Sequence, residues 1–321
     1  MSRWIAYLIS AVVIVASCCG AWAENDESVV RLVVPYAPGG FPDTISRLVA
    51  NQLSTLSGRF VVENRPGGVG TVAADYVSNA APDGNTLLVA DAQQWAIAPQ
   101  MFKNIRYKVL SDFAPVTLLG TTGNVLVVNA ALGVEDFPGL IKLLKDNPSK
   151  YDYGTPGVGS LHHLTLEALT RRLDLKVTHI PYKGGGEVIP ALLAGNVQFA
   201  LQALPAVGSF AKEGKLKILA IATAKRSTLA PDIPTIEEFG VPDMDFPGAI
   251  GILAPSKTPP DVISRLAKEM NAAVFAPDVT ARLATYAIEP SRLTPTEYKA
   301  LIEADIVKFG KVIKSVGLAT Q

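Results

Sequence analysis

The chain reads as an α/β protein of two domains built on largely parallel sheets. Three observations predict this. Its 321 residues are enough for two domains with real cores. Short β-type runs alternate with segments of 3.6-residue apolar periodicity, the pattern of βαβ units. Four glycine-rich loops each follow a β-type run and open a helical one. In such sheets ligands bind beyond the carboxyl ends of the strands, where these loops sit.

The amino terminus is a targeting pattern. Arg3 supplies a positive start, Ile5 to Ala16 a short apolar stretch, and Ala21-Trp22-Ala23 a small-x-small cleavage site before Glu24-Asn25-Asp26-Glu27. The apolar stretch is too short to span a bilayer comfortably. Residues 1–23 therefore read as a cleaved secretory signal peptide. Val15-Ala16-Ser17-Cys18 also resembles a lipoprotein cleavage site, the alternative being lipid anchoring at Cys18. The sequence has 2 cysteines, Cys18 and Cys19, both in this segment. Cleavage after Ala23 leaves no thiol for disulfides or catalysis. The chain is 49% hydrophobic and 18% charged with a formal net charge of zero, so no basic surface argues for nucleic acid.

The first strand, Val29 to Val34, ends in the loop Pro35-Tyr36-Ala37-Pro38-Gly39-Gly40. Ile45, Leu48, Val49, Gln52, Leu53 and Leu56 then share one helical face. A glycine loop at a helix N-terminus offers free backbone N–H groups, and the helix dipole favours an anion there. The same residues also suit an ordinary βα turn. Arg59 to Glu63 is the second strand. Asn64-Arg65-Pro66-Gly67-Gly68-Val69-Gly70 is the second loop, before a small-residue helix from Thr71 to Asn79. After the turn Pro82-Asp83-Gly84-Asn85, Thr86 to Ala90 is a strand running into Asp91-Ala92-Gln93-Gln94-Trp95.

Ala114 to Leu119 and Val125 to Val128 are β-type, with Gly120-Thr121-Thr122-Gly123 between them as a crossover. Phe137 to Leu144 is helical and Tyr151 to Gly154 a short strand. The third loop, Thr155-Pro156-Gly157-Val158-Gly159-Ser160, leads into a helix ending near Arg172. Val177 to Ile180 precedes the fourth loop, Pro181 to Glu187, and a helix to about Leu193. Val197 to Leu201 and Leu216 to Ala222 are buried-type strands flanking a helix from Ala206 to Lys212. Pro231 to Pro247 has no clear periodicity, Ala249 to Leu253 is a strand, and three helical segments finish the chain: Pro260 to Phe275, Asp278 to Tyr286 and Thr296 to Val316.

Tests for chemistry exclude more than they find. There is no Gly-x-x-x-x-Gly-Lys-Ser/Thr loop, no dinucleotide fingerprint and no Gly-x-Ser-x-Gly elbow. His162-His163 does not make a metal site, because consecutive helical residues point about 100° apart and only His179 remains. No metal or cofactor is expected. Asp43 has two readings, a first-turn helix acid or a residue fixing ligand, water or loop. Lys183 is a solvated charge or a counter-charge for a carboxylate. Gln93 and Gln94 are a polar loop or donors to a ligand oxygen. Trp95 is more in keeping with core than with a ligand platform.

Several of these segments together carry a resemblance. Pro35-Tyr36-Ala37-Pro38-Gly39-Gly40 with Asp43, Glu63-Asn64-Arg65-Pro66-Gly67-Gly68 with Gly70, and Ala81-Pro82-Asp83-Gly84-Asn85-Thr86-Leu87-Leu88 come first. Asp112-Phe113-Ala114-Pro115-Val116, His179-Ile180-Pro181-Tyr182-Lys183-Gly184 and Pro231-Asp232-Ile233-Pro234-Thr235 follow. In that order and spacing they closely resemble the Bug-type receptors of tripartite tricarboxylate transport systems, over nearly all of the chain after residue 23.

The resemblance implies a type II-like periplasmic binding protein: two α/β lobes around a central cleft, with a hinge. Residues 24–123 and 248–321 would form a discontinuous lobe 1 and 124–247 lobe 2, with hinges near Gly120 to Gly123 and Pro247 to Gly251. It implies a monomer that captures a small di-, tri- or aromatic carboxylate by closing, and integral membrane transporter subunits as partners. The candidate ligand residues are Tyr36, Pro38, Gly39, Gly40, Pro42 and Asp43, with Gln93 and Gln94, in lobe 1. In lobe 2 they are Thr155, Gly157, Gly159, Ser160 and His163, with Tyr182, Lys183 and Gln202.

The chain departs from the family pattern at four places. Pro42 stands where a small hydroxyl residue is common, withholding an N–H and an O–H. Asn85 replaces a usual aromatic, Gln202 a frequent acid, and Ala249-Ile250 stands where Trp is often found. Two rival readings use the same cleft: the input domain of a sensor kinase, and an enzyme with His163 or Asp43 as its base.

Overall fold

The computed structural model describes residues 29–56 and 58–318. The leader pattern, with Cys18 and Cys19, lies outside them. The strands are β1 (Val30–Val34), β2 (Phe60–Asn64), β3 (Thr86–Ala90), β4 (Phe113–Thr122), β5 (Asn124–Asn129), β6 (Asp152–Thr155), β7 (Thr178–Pro181), β8 (Phe199–Ala203), β9 (Leu216–Ile221), β10 (Gly248–Pro255) and β11 (Ile288–Pro290). The longer helices are α1 (Phe41–Leu56), α2 (Thr71–Ser78), α3 (Phe137–Asp146), α4 (Leu161–Arg172), α5 (Gly185–Leu193), α6 (Leu204–Lys212), α7 (Pro260–Val274), α8 (Pro277–Thr285) and α9 (Pro295–Val316).

Two sheets result. One has six strands in the order β11-β4-β10-β3-β1-β2, the other five in the order β7-β6-β8-β5-β9. The first draws on both ends of the chain and the second on its middle. Each is covered by helices on both faces. The strands alternate accordingly. On β1, Leu32 and Val34 face one core and Val33 the other. On β5, Val125 and Val127 face one side, Leu126 and Val128 the opposite one. Each fully buried Val or Leu contributes about 1.5–3 kcal/mol. Ile45, Val49 and Leu53 of α1 are buried on the first sheet, while Leu56, at the helix end, is exposed.

The expectation of largely parallel sheets needs correcting: both sheets are mixed. β1 lies parallel to β2 and β3, and β6 parallel to β7 and β8. β10 is antiparallel to β3 and β4, β11 to β4, and β5 to β8 and β9. Every antiparallel pair involves β4, β5 or β10, the strands at which the chain passes from one sheet to the other. β4 runs to its end at Thr122 and β5 starts at Asn124, with Gly123 alone between them. Gly120 to Thr122, expected as a loop, belong to β4. A Cβ on Gly123 would overlap the Ile221 side chain, so glycine lets the link lie flat on β9. Two further elements were not foreseen. Gln93–Ile97 winds as a π-helical turn, and Ile288–Pro290 adds a short edge strand.

Besides a cluster of its own on one face of each sheet, the two halves share a third. The shared cluster takes Val33 and Leu88 from the first sheet, Leu126 and Phe199 from the second, and Tyr298, Phe309 and Ile313 from α9. Helix α9 bridges the two halves. Its Asp305 Oδ2 accepts from Trp95 Nε1 at 2.8 Å. Its Lys308 donates to the Asp245 carbonyl, and Phe309 packs on Phe246 at 5.9 Å between ring centroids. No helix among the described residues is long and apolar enough to cross a membrane.

Candidate functional site

The first glycine loop is held from within. Asp43 lies in the first turn of α1 and is buried. Its Oδ2 accepts from Gly39 N–H at 2.9 Å and from Arg47 Nε at 3.0 Å. Its Oδ1 accepts from Asn64 Nδ2 at 2.9 Å and pairs with Arg47 Nη2 at 2.9 Å. Asp43 and Arg47 are four apart on one helix, the spacing at which such pairs meet. Burial pushes the Asp43 carboxyl up, but hydrogen bonds from Arg47, Gly39 and Asn64 outweigh it and hold the group below its usual range. Asp43 therefore supplies charge to the loop and has no oxygen to spare. The exposed Pro38, Gly39 and Gly40 arch over it. Gly39 has φ +94° and its N–H is taken. The N–H groups of Gly40, Phe41 and Asp43 have no acceptor among the described residues, and Pro42 has no N–H to offer. Those three donors stand at the head of a 16-residue helix, where the dipole favours negative charge.

A second tier supports the loop. Asn64 pairs with Val34 in the β1–β2 register, and its Nδ2 also donates to the Tyr36 carbonyl at 3.0 Å. Tyr36 O–H donates to Asp91 Oδ2 at 2.7 Å, and Gln94 Nε2 donates to the Tyr36 hydroxyl at 3.0 Å. Gln94 Oε1 accepts from Asp91 N–H at 2.9 Å. Burial pushes Asp91 up to about 6, although Tyr36 O–H and Gln93 N–H pull the other way. Gly70, at φ +89°, packs on Gln94 so closely that a Cβ would overlap the amide. The second glycine loop thus buttresses the first.

The third loop mirrors this arrangement. Ser160 caps α4: its Oγ accepts from His163 N–H at 3.2 Å. His163 is buried, and its Nδ1 accepts from Gly159 N–H at 3.0 Å. That bond requires Nδ1 to be unprotonated, leaving the proton of the neutral ring on Nε2, which lies 3.9 Å from Glu167 Oε1. His163 stacks on His179 at 3.9 Å between centroids and 18° between planes. His179 in turn stacks on Tyr153 at 5.0 Å. His179 Nε2 and Thr155 Oγ1 are 2.6 Å apart, and Tyr153 O–H donates to Glu167 Oε1 at 2.5 Å. Burial pulls both rings below the usual histidine range. His179 falls to about 4, and neighbouring His163 adds to the effect. The N–H groups of Val158, Leu161 and His162 have no acceptor among the described residues. Among those residues no group of three His, Cys, Asp or Glu could hold a metal.

Gln93 is where the two halves of the site touch. Its side chain is buried, and Nε2 donates to the Gly159 carbonyl at 3.3 Å. Gly159, at φ +76°, sits on Met101 and Phe102, so the third loop rests on the segment that follows β3. Tyr182 N–H donates to the Thr155 carbonyl at 2.9 Å, and the Tyr182 carbonyl lies beside Gly157. Gln202 is buried near the carboxyl end of β8. Lys183 is exposed.

Of the sequence candidates, Tyr36, Asp43 and Gln94 thus cluster around the first loop. Thr155, Ser160 and His163 cluster around the third, and Gln93 joins the two. Lys183 stays at the surface. Asn64, Arg47, Asp91, Glu167 and His179 were not singled out as site residues. The Asp43–Arg47 spacing was a usable signal for Arg47. The others are brought in by strand register and stacking, which no local pattern shows.

The chain matches the family described as tripartite tricarboxylate transporter family receptor over residues 45–318. Protein BugT of Bordetella pertussis is 32% identical over 90% of this chain and 89% of its own length. The structure of R. palustris Rpa4515 with adipate superposes with a TM-score of 0.86 at 31% identity, covering 93% of this chain and 99% of that one. MatC from Rhodopseudomonas palustris with bound malate gives 0.81 at 29% identity, covering 89% and 98%. With its two α/β lobes and opposed glycine loops, this chain belongs to the tripartite tricarboxylate transporter receptor family.

Proposed function

We propose that this protein is a periplasmic receptor that captures a small organic carboxylate by lobe closure and delivers it to a membrane transporter. The observation that carries the reading is the pair of helix heads. α1 and α4 follow strands of different sheets, each presents backbone N–H groups without an acceptor among the described residues, and Gln93, in the turn after β3, bonds Gly159 of the loop before α4. Backbone donors and two helix dipoles neutralise a carboxylate without a buried lysine or arginine. Adipate in Rpa4515 and malate in MatC are ligands of this kind.

In this reading lobe 1 comprises residues 24–123 and 248–321, and lobe 2 residues 124–247. Closure turns on the strand junctions at Gly123 and at the start of β10, where a few residues absorb the rotation. The leader pattern at residues 1–23 supports export to the periplasm. Against catalysis stand the two side chains that could have acted as a base. His163 Nδ1 is engaged by Gly159, and both Asp43 oxygens by Arg47, Asn64 and Gly39.

The test is titration calorimetry of the purified protein with adipate, malate, citrate and benzoate. Saturable binding at one site, with a melting temperature that climbs with ligand concentration, is the expected result. Binding to none of these classes, or turnover of the bound compound, overturns the proposal.

A further inference from the structure

Outside the cleft, a groove of about 380 Å³ opens along the segment that joins β3 to β4. Leu253 of β10 pairs with Leu88 of β3, and Pro255 pairs with Phe113 of β4, so β4 begins level with the start of β3. The joining segment therefore leaves the carboxyl end of β3, where the glycine loops lie, and runs back to the opposite end of the sheet. Buried Trp95 and Ala96 form the floor of the groove. Phe102, Ile105 and Leu110 line it from the segment, and Ile306 lines it from α9. Gln100 Nε2 donates to the Ile306 carbonyl at 3.0 Å and fixes the segment to that helix.

The rim is cationic. Lys103 and Lys108 line it, and Arg106 lies between them in sequence. All three are exposed, and none is in an ion pair among the described residues. No Asp or Glu among those residues lines the groove. The neighbouring acids are engaged locally: Asp112 accepts from Lys108 N–H at 2.7 Å and from Ser111 Oγ at 2.8 Å, and Asp305 accepts from Trp95. In a chain with a formal net charge of zero, this is a local excess of positive charge. Leu110, 53% exposed, leaves apolar surface open at the same place, as interaction sites do. A second groove, of about 440 Å³ and lined by the stacked Phe137 and Phe239, lacks this combination, because its Lys142 is already paired with Asp146.

We infer that the groove between the 99–110 segment and α9 is the docking face for the membrane transporter subunit. It takes from that partner a segment with an apolar anchor residue flanked by carboxylates. This rests on the receptor reading above. The apolar walls supply a pocket for the anchor, and the cations select and orient an acidic partner. A lipid surface, with no side chain to offer, would leave a concave site unfilled. The groove is also placed to report on the ligand. A Cβ on Gly159 would lie 3.7 Å from the Phe102 ring, and Gly159 is the residue of the third loop that Gln93 bonds. Gln93 and Trp95 belong to one turn. A change in lobe separation therefore shifts the wall and floor of the groove, and the loaded and empty receptors present different faces to the partner.

The experiment combines calorimetry, uptake and crosslinking. Lys103→Glu with Lys108→Glu should keep carboxylate affinity within about threefold of wild type and leave the melting temperature unchanged, because both side chains are exposed. In cells whose only copy is this variant, uptake of the carboxylate that wild type binds should fall at least about tenfold. Lys103→Arg with Lys108→Arg should retain uptake. A photo-crosslinking amino acid at Leu110 should form an adduct in intact cells with an integral membrane subunit, mapped by mass spectrometry to a segment containing Asp or Glu and stronger when the carboxylate is supplied. The same amino acid at Leu56, exposed at the end of the helix on the other face of the first sheet, should form none. Adducts at Leu110 with lipid alone, with a second copy of this chain alone or with nothing overturn the inference, as does unchanged uptake in the Glu variant, and a carboxylate receptor would still stand. A wild-type protein that binds no carboxylate overturns both.

Discussion

Asp43 shows how a charged residue beside a glycine loop can be spent on holding the loop. In the proposed receptor its negative charge would lie beside the bound carboxylate and, left free, would repel it. Four contacts from Gly39, Arg47 and Asn64 neutralise it and at the same time fix the arch of the loop. Asp43→Ala removes the acceptor for all of them. The expected cost is about 1–3 kcal/mol in denaturant unfolding, from buried donors left unpaired. Carboxylate affinity should fall at least about tenfold, since a cradle of backbone donors works only when preorganised. Full affinity in this variant would place the ligand elsewhere. Pro42 fits the same picture: between Phe41 and Asp43 it interrupts the row of donors, so the cradle must act through the N–H groups on either side.

At the scale of the element, the head of α4 is a helix cap resting on a column of aromatic rings. The column needs neutral histidines, because His163 must accept from Gly159. His179 falls to about 4, against an unfolded value near 6.5. As pH drops through that window the unfolded chain takes up a proton that the folded chain refuses. Stability therefore rises with pH from about 4 to about 6.5 on account of this group. His179→Phe keeps the stack and removes the titration. Melting temperatures measured from pH 4 to 7 should show a shallower slope than wild type over that range, and an identical slope refutes the assignment.

The elements themselves were largely legible, because their cues are local. Gly and Pro at 66–70, 156–159 and 184–186 mark strand ends, and the apolar spacing of Ile45, Val49 and Leu53 marks a helix. What stayed hidden depends on partners distant in sequence. The antiparallel pairings of β10 follow from where it inserts. The tie from Asn64 to Asp43 follows from the β1–β2 register. The π-helical turn at Gln93 carries Trp95, whose partner Asp305 lies 210 positions on in α9. Polar residues singled out beside a glycine loop bond local backbone, His163 that of the loop and Ser160 that of the helix it opens, and residue type alone cannot separate that duty from ligand contact.

At the scale of the whole molecule, the halves share a core and are joined across the cleft by Gln93 and Gly159. A hydrogen bond is worth about 0.5–1.5 kcal/mol net, enough to change the balance of two conformations roughly two- to tenfold. Gln93→Ala should give the ligand-free protein a larger radius of gyration in small-angle scattering, with ligand restoring the compact form. A value unchanged from wild type would show that the shared core, and not this bond, sets the separation. The strand order has a further consequence, for assembly. β10 fills the gap between β3 and β4, yet it follows the whole second sheet in the chain. Until it arrives, the first sheet exists as two fragments with open edges, while the strands of the second sheet are already contiguous. Open edges of this kind invite pairing with other chains. The second lobe is therefore the natural first unit to fold, and the cleft becomes a cleft only when a late strand zips the first lobe shut.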